Sequence, residues 1–219
     1  LGAHPGSKFP SELLGAINTA VLPFSWSHAE SSNGEDSSVE GFSEQLRWCK
    51  KLGLRVCGGP LLNFGKTGLP DWLYLWEDDP ESLESYMLSY VESTVKAFAD
   101  KVTLWHAWAG LNNCQAMKID EELRVRLAVT ALERLRSLDP NTPTFVSFSQ
   151  PFGEYMSRRS LDLAPIHYAD TLIRAELGIS GFGLEINLGY WPEGTLPRDV
   201  LEISRLIDRW STLGLPLVL

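Results

Sequence analysis

Residues 102–113 read VTLWHAWAGLNN and decide the fold. An apolar, β-rich run from Val102 to Trp105 gives way to Ala109-Gly110 and then to the polar pair Asn112-Asn113. This pattern is typical of a buried strand that reaches the edge of a sheet and continues into a polar loop. The stretch therefore predicts a strand with a functional loop at its carboxyl end.

Short β-type runs alternate with amphipathic helical runs along the whole chain. Crossovers of this length predict parallel strands, in either an open doubly wound sheet or a (β/α)8 barrel. No GxGxxG follows the first strand, as a dinucleotide-binding sheet would require, and the loops after the strands are long and polar. The pattern favours the α/β barrel. Strands are predicted over 18–24, 54–62, 101–108, 143–149, 179–187 and from 215, and helices over 40–52, 80–99, 120–138, 161–177 and 197–213.

The length of the chain predicts an incomplete barrel. A complete (β/α)8 barrel takes about 250 residues, whereas this chain has 219 and ends on LGLPLVL, which has the pattern of a strand. We interpret residues 1–219 as a single barrel domain that ends in the seventh strand and is a piece of a longer protein. Because an open barrel exposes two sheet edges, we expect poor solubility of the isolated segment.

Composition excludes several function classes. The net charge is −9 and the 19 basic residues are scattered, which argues against a nucleic-acid surface. No apolar run approaches the ~20 residues of a membrane span. Cys49, Cys57 and Cys114 form no CxxC or Cys/His cluster, so neither a metal site nor a cofactor is predicted. Cys49 and Cys57 have the setting of small buried hydrophobic residues.

Several segments resemble glycoside hydrolase family 10, the retaining β-1,4-xylanases. The similarity covers roughly residues 13–219 and lies in the order and spacing of segments. They are NTAV with Pro23, WCKKLGLRVCG at 48–58, LPDWL at 69–73, VTLW at 102–105, ISGFGL at 179–184 and LGLP at 213–216. The resemblance implies a TIM barrel, a polysaccharide or oligosaccharide partner and, as a weaker expectation, an extracellular or periplasmic location.

The residues that carry the family's chemistry differ here. The resemblance places an Asn-Glu pair, with the glutamate as acid/base, at the positions of Ala109 and Gly110, and the nucleophilic glutamate just beyond Leu219. Retaining hydrolysis needs two carboxyl groups about 5–5.5 Å apart, and neither Ala109 nor Gly110 can transfer a proton. The family's Gln and His of the sixth strand become Glu185 and Asn187.

Three carboxylates remain as candidate catalytic groups. Glu185 ends the predicted strand FGLEIN, where apolar neighbours would raise its pKa and suit it to proton donation; pairing with an arginine is the alternative. Glu154, in SQPFGEY, is a weaker candidate, and Glu30 is a third; a solvated loop acid is the alternative for both.

Aromatic and amide side chains gather at the predicted loop positions after the strands. Sugars stack their flat faces on aromatic rings and pair their hydroxyls with amides. Core packing is the alternative for any one ring, and a structural hydrogen bond is the alternative for each histidine. The predicted substrate-binding residues are Trp26, His28, Asn63, His106, Trp108, Asn112, Gln150, Asn187, Tyr190 and Trp191, with Trp72, Trp76 and Asn113 nearby.

Three functional hypotheses follow. The chain belongs to a hydrolase of a β-linked plant-type polysaccharide such as xylan, with a relocated acid such as Glu185. Alternatively, it is a catalytically inactive barrel that binds such a glycan, or an inert scaffold domain. The oligomeric state is not predicted.

Overall fold

The strands form one curled, parallel sheet. The computed structural model describes residues 15–24, 26–29, 37–159, 161–190 and 194–219. The strands in this part of the chain are β1 (Thr19–Leu22), β2 (Arg55–Gly58), β3 (Leu62–Asn63), β4 (Leu104–Ala109), β5 (Thr144–Ser149), β6 (Gly181–Glu185) and β7 (Leu217–Val218). Each lies within or at the edge of a segment in which the sequence predicts a strand.

Helices lie between the strands. They are α1 (Trp26–Ala29), α2 (Ser37–Lys51), α3 (Pro80–Phe98), α4 (Glu121–Leu138), α5 (Met156–Arg159), α6 (Pro165–Arg174) and α7 (Val200–Ser211), with 3-10 turns at Asp71–Trp76 and Leu111–Asn113. Asp79 is the N-cap of α3, because its side chain accepts a hydrogen bond from the Ser82 N–H. None of the helices in the described ranges is both long and apolar enough to cross a membrane.

The sheet order is β1-β2-β4-β5-β6-β7, and all its pairings are parallel. β3 also pairs with β4, at Trp108 and Ala109, two residues beyond the segment of β4 that pairs with β2. β2 and β3 therefore occupy one strand position of a barrel. The predicted single strand over 54–62 is interrupted at Gly59, where a Cβ would lie 2.2 Å from the His106 carbonyl oxygen. Only glycine allows the backbones to approach this closely.

Two faces of the sheet are distinguished by alternation along each strand. Phe148 and Phe182 pack on Trp210 of α7, so these side chains belong to the face that the helices cover. Phe145, Ser147 and the position of Gly183 belong to the opposite, inner face, and a Cβ on Gly183 would lie 2.7 Å from the Ser147 Cβ. The apolar core lies between the sheet and its helices and includes the buried Cys49, as the sequence predicts.

Candidate functional site

Polar side chains meet on the inner face of three adjacent strands. His106 comes from β4, Ser147 from β5 and Glu185 from the carboxyl end of β6. The Ser147 Oγ donates a hydrogen bond of 2.5 Å to Glu185 Oε1 and lies 2.9 Å from His106 Nε2. We call these three residues the polar chain.

Small and flat neighbours shape the space around the polar chain. The imidazole of His106 stacks on the Phe145 ring, with centroids 4.3 Å apart and an interplanar angle of 14°. Gly183 sits beside Ser147 and leaves no room for a side chain. The ring and the glycine therefore hold His106 and Ser147 in positions from which both can reach their hydrogen-bond partners.

The electrostatics of the polar chain favour a neutral state. Burial raises the pKa of the Glu185 carboxyl above its usual range, and the hydrogen bond from Ser147 offsets part of that rise. Burial lowers the pKa of His106 to about 4. A carboxylic acid whose proton is retained to higher pH is suited to general acid catalysis.

The Ala109-Gly110 positions carry no proton donor. Gly110 has a φ of 67° and begins the 3-10 turn after β4. A Cβ there would meet nothing closer than the Ser149 Oγ at 3.7 Å, so space is available but the backbone is left-handed. The backbone conformation at this strand end thus suits glycine rather than a glutamate.

Two of the predicted sugar-binding amides have structural partners. Asn112 is 2 % exposed and joins the turn after β4 to β5 and to Tyr155 through three hydrogen bonds. Gln150 is 1 % exposed and accepts a hydrogen bond from Arg158 at 3.2 Å. Its φ of 46° marks a sharp turn at the end of β5. Both amides shape the loops, and their assignment to substrate remains a prediction.

Glu154 lies in a buried ion pair. Its side chain is 5 % exposed, its Oε1 lies 3.5 Å from the Arg198 guanidinium, and it accepts a hydrogen bond from the Leu196 N–H. The sequence suggests a solvated loop acid as the alternative to catalysis, whereas here the carboxylate joins the loops after β5 and β6. In the described part of the chain, Arg198 pairs with Glu154, and the hydrogen bond to Glu185 comes from Ser147 rather than from an arginine.

Bulge geometry places Trp108 in the core. The pairing of β4 with β5 shifts register between His106 and Ala109, so Trp105 and Trp108 both face the helices. Trp108 is fully buried against Phe148. Trp26 is 2 % exposed and stacks on Tyr90. Neither ring offers a free face to a sugar, in contrast to the predicted role.

The remaining predicted residues divide between the surface and the undescribed part of the chain. Asn63, Asn187 and Tyr190 are exposed at or beyond the ends of β3 and β6, with Tyr190 at 75 %. Trp72 and Trp76 are half-buried. Glu30, Trp191 and the side chain of His28 lie outside the described residues.

Ser147 is the member of the polar chain that the sequence does not predict. It lies in the middle of TFVSFS, where a single hydroxyl among apolar residues has the pattern of a tolerated core polar group. Its significance depends on two partners that lie 41 and 38 residues away. Alternate residues of a strand share one face, so positions 145, 147 and 149 are predicted to lie together, opposite the face that Phe148 presents to the helices.

Comparisons with known proteins give a similarity in structure alone. No protein-family model matches the chain. A search of curated proteins also gives no match. A glycoside hydrolase family 10 xylanase from Thermobacillus composti superposes with a TM-score of 0.66 at 16% identity, over 91% of this chain and 58% of that one.

Two further solved structures agree. A family 10 protein from Paenibacillus barcinonensis gives a TM-score of 0.71 at 14% identity, over 95% of this chain and 63% of that one. Xylanase B from Clostridium stercorarium F9 gives 0.69 at 13% identity, over 92% and 62%. The chain has the fold of the family 10 xylanases. It spans about three-fifths of their length, so the predicted incomplete barrel is confirmed.

Proposed function

We propose that this barrel binds a β-linked polysaccharide chain such as xylan at the carboxyl ends of its strands, and that Glu185 donates the proton in its hydrolysis. The observation that carries the proposal is the position of Glu185 at the end of β6, on the inner face and hydrogen-bonded to Ser147 at 2.5 Å. Barrel enzymes build their sites at this end of the sheet.

The chemistry assigns Glu185 one step. The protonated carboxyl approaches the glycosidic oxygen, and its proton passes to that oxygen as the bond to the anomeric carbon breaks. Burial favours the protonated form of the carboxyl before the step. A second carboxylate is required. From the resemblance to family 10 we expect it after Leu219, so the proposal concerns the complete protein.

Exposed groups in the loop that follows Glu185 support contact with a sugar. Tyr190 is 75 % exposed and Asn187 is also exposed, both in the loop that follows β6. An aromatic face and an amide are the groups that stack on a pyranose and pair with its hydroxyls.

Binding without hydrolysis is the second candidate. It is favoured by Gly110, which has a left-handed backbone and stands where the resemblance to family 10 implies the acid/base. A barrel that lacks this carboxyl would keep the cleft and lose turnover.

Native mass spectrometry of the complete protein with xylo-oligosaccharides tests the proposal, because it follows complexes and products together. We expect wild type and the control Glu133→Gln, at an exposed position of α4, to shorten the oligosaccharides. Glu185→Gln is expected to form complexes without products. Complexes without products in wild type would favour the binding hypothesis, and neither complexes nor products would refute both.

A further inference from the structure

A cavity beside the loops after β3 and β4 is lined by a buried cation. The cavity has a volume of about 690 Å³, and its lining comes from the 3-10 turn at Asp71–Trp76, the segment 114–119 and the first turn of α4. Arg124 belongs to that first turn, lines the cavity and is only 4 % exposed. The polar chain does not line this cavity, so the chemistry of the cavity is separate from that of Glu185.

Backbone oxygens hold the Arg124 guanidinium in place. Its Nε donates to the Asp120 carbonyl at 3.2 Å, and its Nη1 donates to the Asn112 carbonyl at 2.8 Å. The Tyr168 hydroxyl donates to the Arg124 carbonyl at 2.8 Å and anchors this turn of the helix. Within the described part of the chain Nη2 makes no hydrogen bond, which leaves its N–H groups for a ligand. A guanidinium fixed in this way loses little side-chain freedom on binding.

The charge of Arg124 has no counter-ion among the described residues. The two carboxylates that line the cavity are engaged with backbone N–H groups, because Glu77 accepts from Lys118 and Asp120 accepts from Leu123 at 2.7 Å. Neither carboxylate forms an ion pair with Arg124. Buried charges in proteins are normally paired, so the group that this guanidinium lacks is an anion.

The surrounding charges favour a carboxylate over a phosphate as that anion. Glu77 and Asp120 border the same cavity, and a dianion would be repelled by them more strongly than a monoanion. Lys118 adds one further positive charge to the lining. Carboxylate oxygens accept short, charge-assisted hydrogen bonds from guanidinium N–H groups.

The rest of the lining suits a sugar ring. Tyr74 is 37 % exposed and lines the cavity, together with the apolar side chains of Met117 and Leu161 and the amide of Gln115. Aromatic rings stack on the C–H faces of sugars, and amides pair with their hydroxyls. The volume is within the range of small-molecule sites.

We propose that this cavity binds a hexuronate unit, with its carboxylate on the Arg124 guanidinium and its ring against Tyr74. The choice of a sugar rather than another organic acid rests on the proposed glycan partner. The carboxylate contact rests on Arg124 alone.

Saturation-transfer NMR titrations of the complete protein with glucuronate, glucose and acetate test the proposal. Glucose lacks the carboxylate and acetate lacks the ring, so glucuronate is expected to bind more tightly than either. Loss of charge-assisted hydrogen bonds corresponds to roughly 10- to 100-fold in affinity, and this is the difference expected between glucuronate and glucose.

Two variants assign the contacts. Arg124→Met should weaken glucuronate binding by roughly 10- to 100-fold. Its matched control is Arg126→Met, which removes the same charge from a side chain of α4 that is 48 % exposed and does not line the cavity. Tyr74→Ala should weaken the binding of glucuronate and leave that of acetate unchanged. Circular dichroism shows whether each variant is folded.

Three results would overturn the inference. They are equal affinity for glucuronate and glucose, equal affinity for glucuronate and acetate, and a folded Arg124→Met that binds glucuronate as tightly as Arg126→Met does. The first two need no variant, and Tyr74→Ala supplies a further test if Arg124→Met does not fold. Failure of the proposed hydrolysis would appear separately, as absence of products in the mass-spectrometric assay, because these titrations do not depend on turnover.

Discussion

Replacing Asn112 by alanine tests whether this amide is a structural link rather than a sugar ligand. The Asn112 Nδ2 donates to the Ser149 carbonyl at 2.9 Å and to the Tyr155 hydroxyl at 3.0 Å, and its Oδ1 accepts from the Ser149 N–H at 3.1 Å. The residue is 2 % exposed, so water cannot replace these bonds without movement of the loop.

The expected loss of stability follows from these three bonds. A typical hydrogen bond contributes about 1 kcal/mol net, and a buried group left without a partner costs more. Asn112→Ala is therefore expected to lower the free energy of unfolding by about 3 kcal/mol. Asn63→Ala is the matched control, because Asn63 is exposed at the end of β3 and its side chain makes one local hydrogen bond, to the Gly65 N–H. We expect a loss of roughly 0.5 kcal/mol there.

Urea unfolding of both variants, read by far-UV circular dichroism at one pH, gives the two free energies. Equal losses for Asn112→Ala and Asn63→Ala would refute the structural assignment. A small loss at Asn112 together with weaker oligosaccharide binding would return this residue to the substrate-binding set.

Three further predictions concern the polar chain and its surroundings. Between pH 6.5 and about 4, the unfolded chain binds more protons at His106 than the folded chain does. The contribution of His106 to the free energy of unfolding therefore falls as the pH drops through that window. The full loss is on the order of 3 kcal/mol. His106→Phe, which keeps a ring against its neighbour, should flatten this dependence in urea unfolding at pH 4 to 7, and an unchanged slope would contradict the reasoning. In thermal unfolding, Gly110→Ala should lower the free energy of unfolding by about 1 kcal/mol, because the backbone there is left-handed. Gly183→Ala should lower it by roughly 2 kcal/mol through overpacking against Ser147. Only Gly183→Ala should also displace Ser147 and change the titration of Glu185. Arg198→Met removes the charged partner of the buried Glu154 carboxylate and should lower the free energy of unfolding by roughly 3 kcal/mol. The double variant Glu154→Gln/Arg198→Met should recover part of that stability. If it recovers none, the result would argue against the ion pair.

Helix starts and parallel strand pairing could be predicted from local sequence. Asp79 and Asp120 each cap a helix through a side-chain hydrogen bond to the backbone three residues on, which is a rule of short range. The strand–helix alternation likewise determines parallel pairing without knowledge of distant contacts. The interruption between β2 and β3 depends instead on a close approach of Gly59 to the His106 backbone, which no local pattern reports.

The site was only partly predictable because its contacts join distant segments. The position of Glu185 at a strand end follows from the strand pattern, and the burial that raises its pKa was expected. The position of Trp108 was not, because a register shift in β4 reverses the side to which it points. Ser147 could not be picked out from its local sequence, since what distinguishes it is its contacts with residues of β4 and β6.

The distance between Gly110, where the resemblance to family 10 implies the acid/base, and Glu185, the proposed proton donor, explains why the fold alone does not determine the chemistry. Gly110 follows β4 and Glu185 ends β6, with β5 between them. Adjacent strands lie about 4.8 Å apart, so the proposed proton donor is displaced by roughly 10 Å across the sheet. A sugar whose glycosidic oxygen meets Glu185 must bind nearer to β7 than one that meets the position of Gly110. A carboxylate at the end of β7 would then lie one strand spacing from Glu185, close to the 5–5.5 Å that a retaining pair requires. Activity in the complete protein would therefore need a shifted cleft, whereas an unshifted cleft would bind glycan with no acid beside the scissile bond.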